Sequence, residues 1–390
     1  MALFGHSDSQ APQFIHSSVI IIAIHYYLDY FCKYKIKITM NLEERIQSFV
    51  KLGNFFKQFT TSKIEKFEES ENNTLFFDAF KMQIERAYEN NGWFTKENVL
   101  KAIESWANAL TYENLTTWTS NYSFNTEPKT VALILAGNIP LVGFHDFLSV
   151  LISGHKVIAK LSSNDKYFLP LIAKFLEYDN TYFKDKIVFT EKKLTQFDAV
   201  IATGSNNTAR YFEFYFKNKP NIIRKNRNSV AILTGNETKE ELEYLGEDIF
   251  QYFGLGCRSV SKIFVPKDYN FDLLFNALYK YKNIIAYKKY ENNYDYNKAI
   301  YLMSQFKFLE NGFFMLKEDS SYGSPIGTLF YEYYTSLPSL QSRLTQEKDK
   351  IQCIVSNLKQ SNSVYFGQTQ HPKLWDYADD VDTIDFLLNF

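Results

Sequence analysis

From Leu42 to about Trp118 the apolar residues recur at intervals of three and four, and no alternation at period two competes with them. Phe49, Leu52, Phe55 and Phe56 form one such stripe, so the spacing predicts an N-terminal helical segment. At Lys129 the pattern changes. Val131 to Ala136 is a continuous apolar run that stops at Gly137-Asn138-Ile139-Pro140, the way a strand buried on both faces leaves a parallel sheet. A helix from Leu141 to Ser153 follows, with Gly154 as its natural stop, and Lys156 to Leu161 is a second β-rich run. Together they make a strand-helix-strand unit.

The rhythm repeats. Ser162-Ser163-Asn164 introduces a helix carrying Leu171, Ile172, Phe175 and Leu176, and the strand Ile187 to Thr190 comes next. Ala199 to Ala202 is a strand, Thr203-Gly204-Ser205 its turn and Asn206 to Phe216 a helix; Ile222-Ile223 and Val230 to Leu233 are further strands. Four or more β/α alternations in about a hundred residues predict a doubly wound parallel sheet. After Gly235 a second α/β region begins, with Thr238 and Glu241 offering a capping box to a helix that runs to about Phe253. The loop Gly254-Leu255-Gly256-Cys257-Arg258-Ser259 leads to a strand at Ile263 to Val265. Helices at Phe271 to Tyr281 and Asn297 to Phe306 precede strands at Phe313 to Leu316 and Thr328 to Phe330.

The first 39 residues stand apart from this scheme. Their apolar run, Val19 to Phe31, is broken by His25 and Asp29 and is too short and polar to span a bilayer. Neither a basic leader nor a small-residue cleavage site marks a signal peptide. Met40 opens the helical pattern, so residues 1–39 read as an upstream extension with translation starting at Met40, or else as a disordered or loosely docked arm.

Composition narrows the function. At 45% hydrophobic and 22% charged residues the chain is globular, and a net charge of -1 leaves no basic footprint for nucleic acid, which points to a small substrate. The three cysteines, Cys32, Cys257 and Cys353, suggest no disulfide framework and fit a reducing cytoplasm. The histidines, among them His145, His155 and His371, fall into no metal-ligand spacing, so no metal is expected.

Cys257 is the sharpest chemical candidate. A thiol in a glycine-bearing loop after a helix is open to substrate and can be activated by nearby positive charge and amide dipoles, although a lone cysteine is as often a small core residue. Asn138 places an amide at the carboxyl end of a parallel strand, where ligands of open sheets collect and where it can donate to an oxyanion. By spacing alone a plain turn is the commoner case. Lys160, ending the next strand, can hold a cofactor ribose or phosphate, and Thr203-Gly204-Ser205 opens a helix whose amino end suits a phosphate. Taken singly, these are equally a solvated charge and a helix cap.

Taken in order, the pieces resemble the aldehyde dehydrogenase superfamily, and more closely its acyl-CoA reductase branch, the fatty acid reductases of bacterial luminescence. The resemblance runs from roughly Thr130 to Phe390. Asn138 with Pro140 is similar to the family's Asn-x-Pro oxyanion turn, Lys160 to its cofactor-ribose lysine, and Thr203-Gly204-Ser205 to its cofactor turn. Gly254-Leu255-Gly256-Cys257 is similar to the Gly-x-x-Cys nucleophile loop. Phe366-Gly-Gln368-Thr-Gln370-His-Pro372 and Asp376-Tyr377-Ala378-Asp379-Asp380-Val381-Asp382-Thr383 look like the terminal signature of the reductase branch.

The resemblance implies an α/β fold of the aldehyde dehydrogenase type: a helical segment (40–128), a doubly wound dinucleotide-binding domain (129–235), a second α/β catalytic domain (236–365) and a C-terminal segment (366–390) packing back on the core. It implies Cys257 as nucleophile, Asn138 as oxyanion donor, and Lys160, Ser163, Thr203, Gly204 and Ser205 at a bound NADPH, with no metal. The implied reaction reduces a long-chain acyl-CoA or acyl-carrier thioester to the aldehyde. An acyl-transferase or synthetase partner and a homo-oligomer are further implications.

Departures from the pattern inform the mechanism. Hydrolytic relatives activate water with a glutamate, and Arg224 stands at that position here, which points to exchange with a thiol carrier. Ser163 stands where NAD-specific relatives often carry a glutamate that repels a 2'-phosphate, so NADP(H) is allowed. Ala209 replaces the glycine usual after the cofactor turn, and Asp380 a usual glycine of the terminal motif. Two alternatives stay open: another oxidoreductase of the superfamily, reducing an acyl phosphate or oxidising an aldehyde, and a catalytically idle nucleotide-binding paralogue.

Overall fold

The computed structural model describes residues 40–67, 72–125, 127–358 and 363–390, and the extension expected over residues 1–39 lies outside them. Four helices come first: α1 (Leu42–Phe56), α2 (Asn73–Asn90), α3 (Lys96–Ala109) and α4 (Tyr112–Thr119). A capping box fixes the start of α1, with Glu44 N donating to Asn41 Oδ1 at 2.9 Å and Asn41 N to Glu44 Oε2 at 2.8 Å. The predicted stripe is the core of this segment, since Phe49, Leu52, Phe55 and Phe56 are all buried. The Phe55 ring lies 5.1 Å from Phe80 of α2 and 4.9 Å from Phe175, which belongs to the following sheet domain. The helical segment is thereby fastened to the sheet domain by aromatic packing.

The first sheet has five parallel strands in the order β3-β2-β1-β4-β5: β1 (Thr130–Ile134), β2 (Lys156–Lys160), β3 (Ile187–Phe189), β4 (Ala199–Thr203) and β5 (Asn221–Arg224). Helices α5 (Phe144–Ile152), α6 (Phe168–Asp179) and α7 (Asn206–Phe216) cross over between them. Strand order reverses at β1, whose neighbours are β2 and β4. The crevice outside the carboxyl ends of β1 and β4 is therefore the switch point at which such sheets bind ligands.

The second sheet has the order β12-β11-β6-β7-β10-β9-β8. Its strands are β6 (Asn228–Ile232), β7 (Val260–Pro266), β8 (Phe308–Glu310), β9 (Met315–Glu318), β10 (Thr328–Tyr334), β11 (Ile351–Val355) and β12 (Ser363–Val364), parallel throughout except for β8 against β9. The helices of this region are α8 (Lys239–Phe250), α9 (Phe271–Leu278), α10 (Lys288–Met303), α11 (Leu337–Gln346) and the terminal α12 (Thr383–Asn389). Alternate residues of β6 feed two cores. Ala231 packs with Leu242 and Leu245 of α8, while Val230 and Ile232 pack with Leu340 and Leu344 of α11.

Three sequence expectations change. The run Val230 to Leu233 belongs to the second sheet, because β6 pairs with β7 and β11; the sheets divide between Arg224 and Asn228 instead of at Gly235. A strand buried on both faces carries no local mark of which sheet it joins. The helix expected from Phe271 to Tyr281 ends as an α-helix at Leu278 and tightens into a 3-10 stretch from Tyr279 to Ala286. The helix expected at Asn297 begins at Lys288; its first turns are polar apart from Tyr290 and Tyr294, which the fold buries together with Tyr301. Among the described residues no helix is long and apolar enough to cross a membrane.

Candidate active site

The chain reaches Cys257 through a strained elbow. After α8, Tyr252, Phe253 and Gly254 have φ of 55°, 59° and 73°, a left-handed run that costs each aromatic residue about 1–2 kcal/mol. Packing holds it in place: the buried Phe253 ring sits 5.3 Å from Trp93 and 5.1 Å from Tyr287. Such over-determined strain gathers at functional sites. The elbow turns the loop Leu255–Ser259 outward from the second sheet, and Ser229 Oγ of β6 pins it by donating to the Cys257 carbonyl at 2.9 Å.

Asn138 meets this loop from the other side. Its Nδ2 donates to the Leu255 carbonyl at 2.7 Å, so the end of β1 and the cysteine loop are joined directly. The turn that carries Asn138 is itself braced. Leu141 has a left-handed φ of 59°, and its amide donates to Asp165 Oδ2 at 2.9 Å. Burial pushes the Asp165 carboxyl up to about 7 against that hydrogen bond. Gly137 is required here, because a Cβ would sit 2.7 Å from Ser162 on the loop leaving β2.

Cys257 opens on a cavity of about 380 Å³. Its apolar wall comes from Ala102 and Trp106 of α3, Ile139 and Leu141 of the turn, Tyr252 and Leu374. The far wall is the terminal signature, from Gln370 to Asp376. That segment is strapped down by Asp248 of α8, whose carboxylate accepts from Gly367 N at 2.7 Å, Thr369 N at 3.0 Å and Thr369 Oγ1 at 2.8 Å. Trp118 Nε1 donates to Tyr377 Oη at 2.8 Å and Tyr122 Oη to Asp382 Oδ2 at 2.7 Å, tying the same segment to the N-terminal helices.

The charges around the sulfur oppose one another. Cys257 reaches the cavity surface, yet the protein atoms ringing it desolvate the thiol and push it up to about 11. Arg258 most strongly, and Arg224 less so, pull it back; Cys353 and Asp379 push it further up. The positive charge expected near the thiol is present, but burial outweighs it. Arg224, at the end of β5, is buried and spans to α5 and α12. Its Nη1 donates to both carboxylate oxygens of Asp146, with Oδ1 at 2.5 Å, and its Nη2 to Thr383 Oγ1 at 3.0 Å. Burial works against this charge, and Asp146, helped by Asp379 and Cys257, more than restores it.

The cofactor candidates lie along the same edge of the first sheet as Asn138. Lys160 ends β2 and is exposed, Ser163 is exposed on the loop beyond it, and Thr203-Gly204-Ser205 follows β4 at the switch point. Ser205 caps α7, its Oγ accepting from Thr208 N at 3.2 Å. The remaining first-turn amides of α7 point outward, as they do at any helix start. Lys160 ends β2 on this edge, two strands from β4, and these residues are the candidates to meet a dinucleotide's ribose and phosphates. Ala209 is the buried residue of α7 and packs the helix on its sheet, a place a glycine would leave emptier. Among the described residues no group of three His, Cys, Asp or Glu side chains is placed to hold a metal ion.

Arg258, Asp248 and the α3 wall escaped sequence reasoning. Arg258 stood next to Cys257 in plain view, and Asp248 sits between Leu245 and Ile249 in the apolar stripe of α8, where an acid needs a buried partner. Nothing local marked Ala102 and Trp106 as cavity residues.

Residues 32–317 match the model of the acyl-CoA reductase (LuxC) family. No curated protein matches the chain significantly. Several solved aldehyde dehydrogenases share its fold. Aldehyde dehydrogenase 21 of Physcomitrella patens, in complex with succinate, is similar at a TM-score of 0.60 and 10% identity, over 91% of this chain and 85% of that one. An indole-3-acetaldehyde dehydrogenase complexed with NAD+ is similar at 0.58 and 12%, over 82% and 73%. The NAD+ complex of a Bacillus cereus aldehyde dehydrogenase is similar at 0.54 and 15%, over 82% and 72%. At these identities the likeness is one of fold.

Proposed function

We infer, from the acyl-CoA reductase (LuxC) family to which this chain belongs, that it reduces a long-chain acyl-CoA or acyl-carrier thioester to the aldehyde through an acyl-enzyme on Cys257. One observation carries the reading. Cys257 opens on a largely apolar cavity while its loop is hydrogen-bonded to Asn138, at the end of the strand where the first sheet reverses order.

The Cys257 thiolate attacks the thioester carbon, and the carbonyl oxygen takes up the negative charge. Asn138 spends one amide hydrogen on Leu255 and keeps the other for that oxyanion, beside the backbone N–H of Cys257. Collapse breaks the bond to the carrier sulfur, which leaves as a thiolate and is protonated by solvent. Lys160, Ser163 and the Thr203-Gly204-Ser205 turn would hold NADPH, which when bound would supply a hydride to the acyl carbon. The thiohemiacetal on Cys257 then releases the aldehyde and returns the thiol.

The carboxylates at the cavity are engaged elsewhere, which speaks against a carboxylate-driven hydrolysis. Of the carboxylates lining the cavity, Asp146 is bound to Arg224, and Asp376 accepts from Lys373 N at 2.9 Å. By its resemblance to the family, Arg224 stands where hydrolytic relatives carry a glutamate, which supports an acyl-enzyme that waits for hydride or a thiol. Ser163 in place of a glutamate supports NADPH over NADH, and the apolar wall supports an aliphatic acyl chain.

The test is the first covalent step. Incubated with a long-chain acyl-CoA and no nucleotide, the protein should carry one acyl thioester, mapped by mass spectrometry to the Cys257 peptide, which NADPH discharges as aldehyde. No adduct at Cys257 refutes the reading. Acyl phosphate and aldehyde as substrates, with nicotinamide absorbance as readout, separate it from its relatives in the superfamily.

A further inference from the structure

Sulfur must be anionic twice in the reaction above, once when Cys257 attacks and again when the aldehyde leaves it. The site nevertheless surrounds that sulfur with desolvating protein. Some group has to favour the anion, and the arginines near the cavity differ in whether their charge is free to do so. Arg224 is clasped by Asp146, and Arg227 is paired with Asp379 at 3.2 Å. Arg258 differs: among the described residues its guanidinium is held only by uncharged acceptors. Its Nη1 donates to Cys353 Sγ of β11 at 3.2 Å, and its Nη2 to the Asp376 carbonyl of the terminal signature at 3.2 Å.

These two contacts fix the guanidinium at the cavity wall, one residue from the nucleophile, without neutralising it. A rigidly held, uncompensated charge in a partly desolvated site acts at longer range than one in water. We propose that Arg258 is the charge that stabilises the anionic sulfur of Cys257, and that the terminal signature segment serves the site by holding Arg258 in place. The proposal rests on the acyl-transfer reading for its role in turnover, but the ionisation it describes belongs to the free protein.

The other ionisable groups facing Cys257 are Arg224 from β5, Cys353 from β11 and Asp379 from the C-terminal segment. Further along the wall stand His145 and Asp146 of α5, and His371, Lys373 and Asp376. His145 is held neutral by burial, and burial likewise lowers His371, so neither adds a cation at neutral pH.

The experiment is alkylation of Cys257 by iodoacetamide as a function of pH, followed on the Cys257 peptide by mass spectrometry, in the wild type and in Arg258→Gln and Arg258→Lys. An opposite charge close to a titrating group moves its midpoint by about one pH unit or more, so Arg258→Gln should alkylate roughly tenfold more slowly at neutral pH, with its profile displaced to higher pH. Arg258→Lys keeps the charge without the fork and should restore most of the profile. A wild-type profile in Arg258→Gln overturns the proposal. Should the glutamine variant not fold, a lysine variant displaced by about a full unit overturns it as well. Neither arm needs an acyl substrate, so a wild type that alkylates normally but forms no acyl thioester refutes the function above and leaves Arg258 untouched.

Discussion

Replacing Asn138 with alanine separates chemistry from scaffolding. The side chain donates at 2.7 Å to the Leu255 carbonyl, and in the proposed mechanism its second hydrogen goes to the substrate oxygen. Asn138 is exposed, and the bond to Leu255 is neutral, so its loss costs about 0.5–1.5 kcal/mol of stability. The lost oxyanion donor is worth more, about 2.7 kcal/mol or a hundredfold in rate, and in a water-poor site up to about a thousandfold. The rate effect therefore exceeds the stability effect. Acylation of Cys257 by acyl-CoA, quenched and read by mass spectrometry, should fall about a hundredfold or more in Asn138→Ala. Iodoacetamide attacks at a saturated carbon and develops no oxyanion, so alkylation of the same sulfur should stay within a few-fold. If both reactions slow together, Asn138 serves only to hold the loop. If acylation is unchanged, it is no oxyanion donor at all.

Burial pushes the Cys257 thiol up to about 11, so the thiolate fraction, and with it the alkylation rate, should climb about tenfold per pH unit from neutrality and level off only near that value; a plateau near neutral pH would contradict the desolvation argument. Asp146→Asn strands the buried Arg224 charge and should cost about 3–5 kcal/mol in urea unfolding, most of it recovered in the double variant Asp146→Leu/Arg224→Met. Asp248→Ala leaves Gly367 and Thr369 donors without their acceptor, at about 1–3 kcal/mol, and limited proteolysis should then cut the C-terminal segment faster than in the wild type.

The departures from the family pattern acquire physical meaning in the fold. Asp380 has a φ of 54° and Asp379 one of 61°, so the terminal motif turns through two left-handed residues. Glycine enters that region freely, whereas aspartate does so at a modest cost. Arg224 is a buried tie between β5, α5 and α12.

What could be read along the chain was whatever short range decides. Apolar runs and their punctuation located the strands of the first sheet to within a residue or two, and the cap at Thr238 located the start of α8. The order of Asn138, Lys160, the Thr203 turn and Cys257 was legible too, because each sits at a strand end or loop that its own neighbours define. Tertiary structure alone decided which sheet β6 joins, and that Asp146 faces Arg224 across 78 residues of sequence. It alone decided that Asp248 holds a strap 119 residues further on, which closes the cavity. The surroundings that push the Cys257 thiol up belong to the tertiary structure as well: periodicity and propensity act over a few residues, whereas desolvation and Coulombic fields depend on everything that packs around a group, wherever in the sequence it comes from.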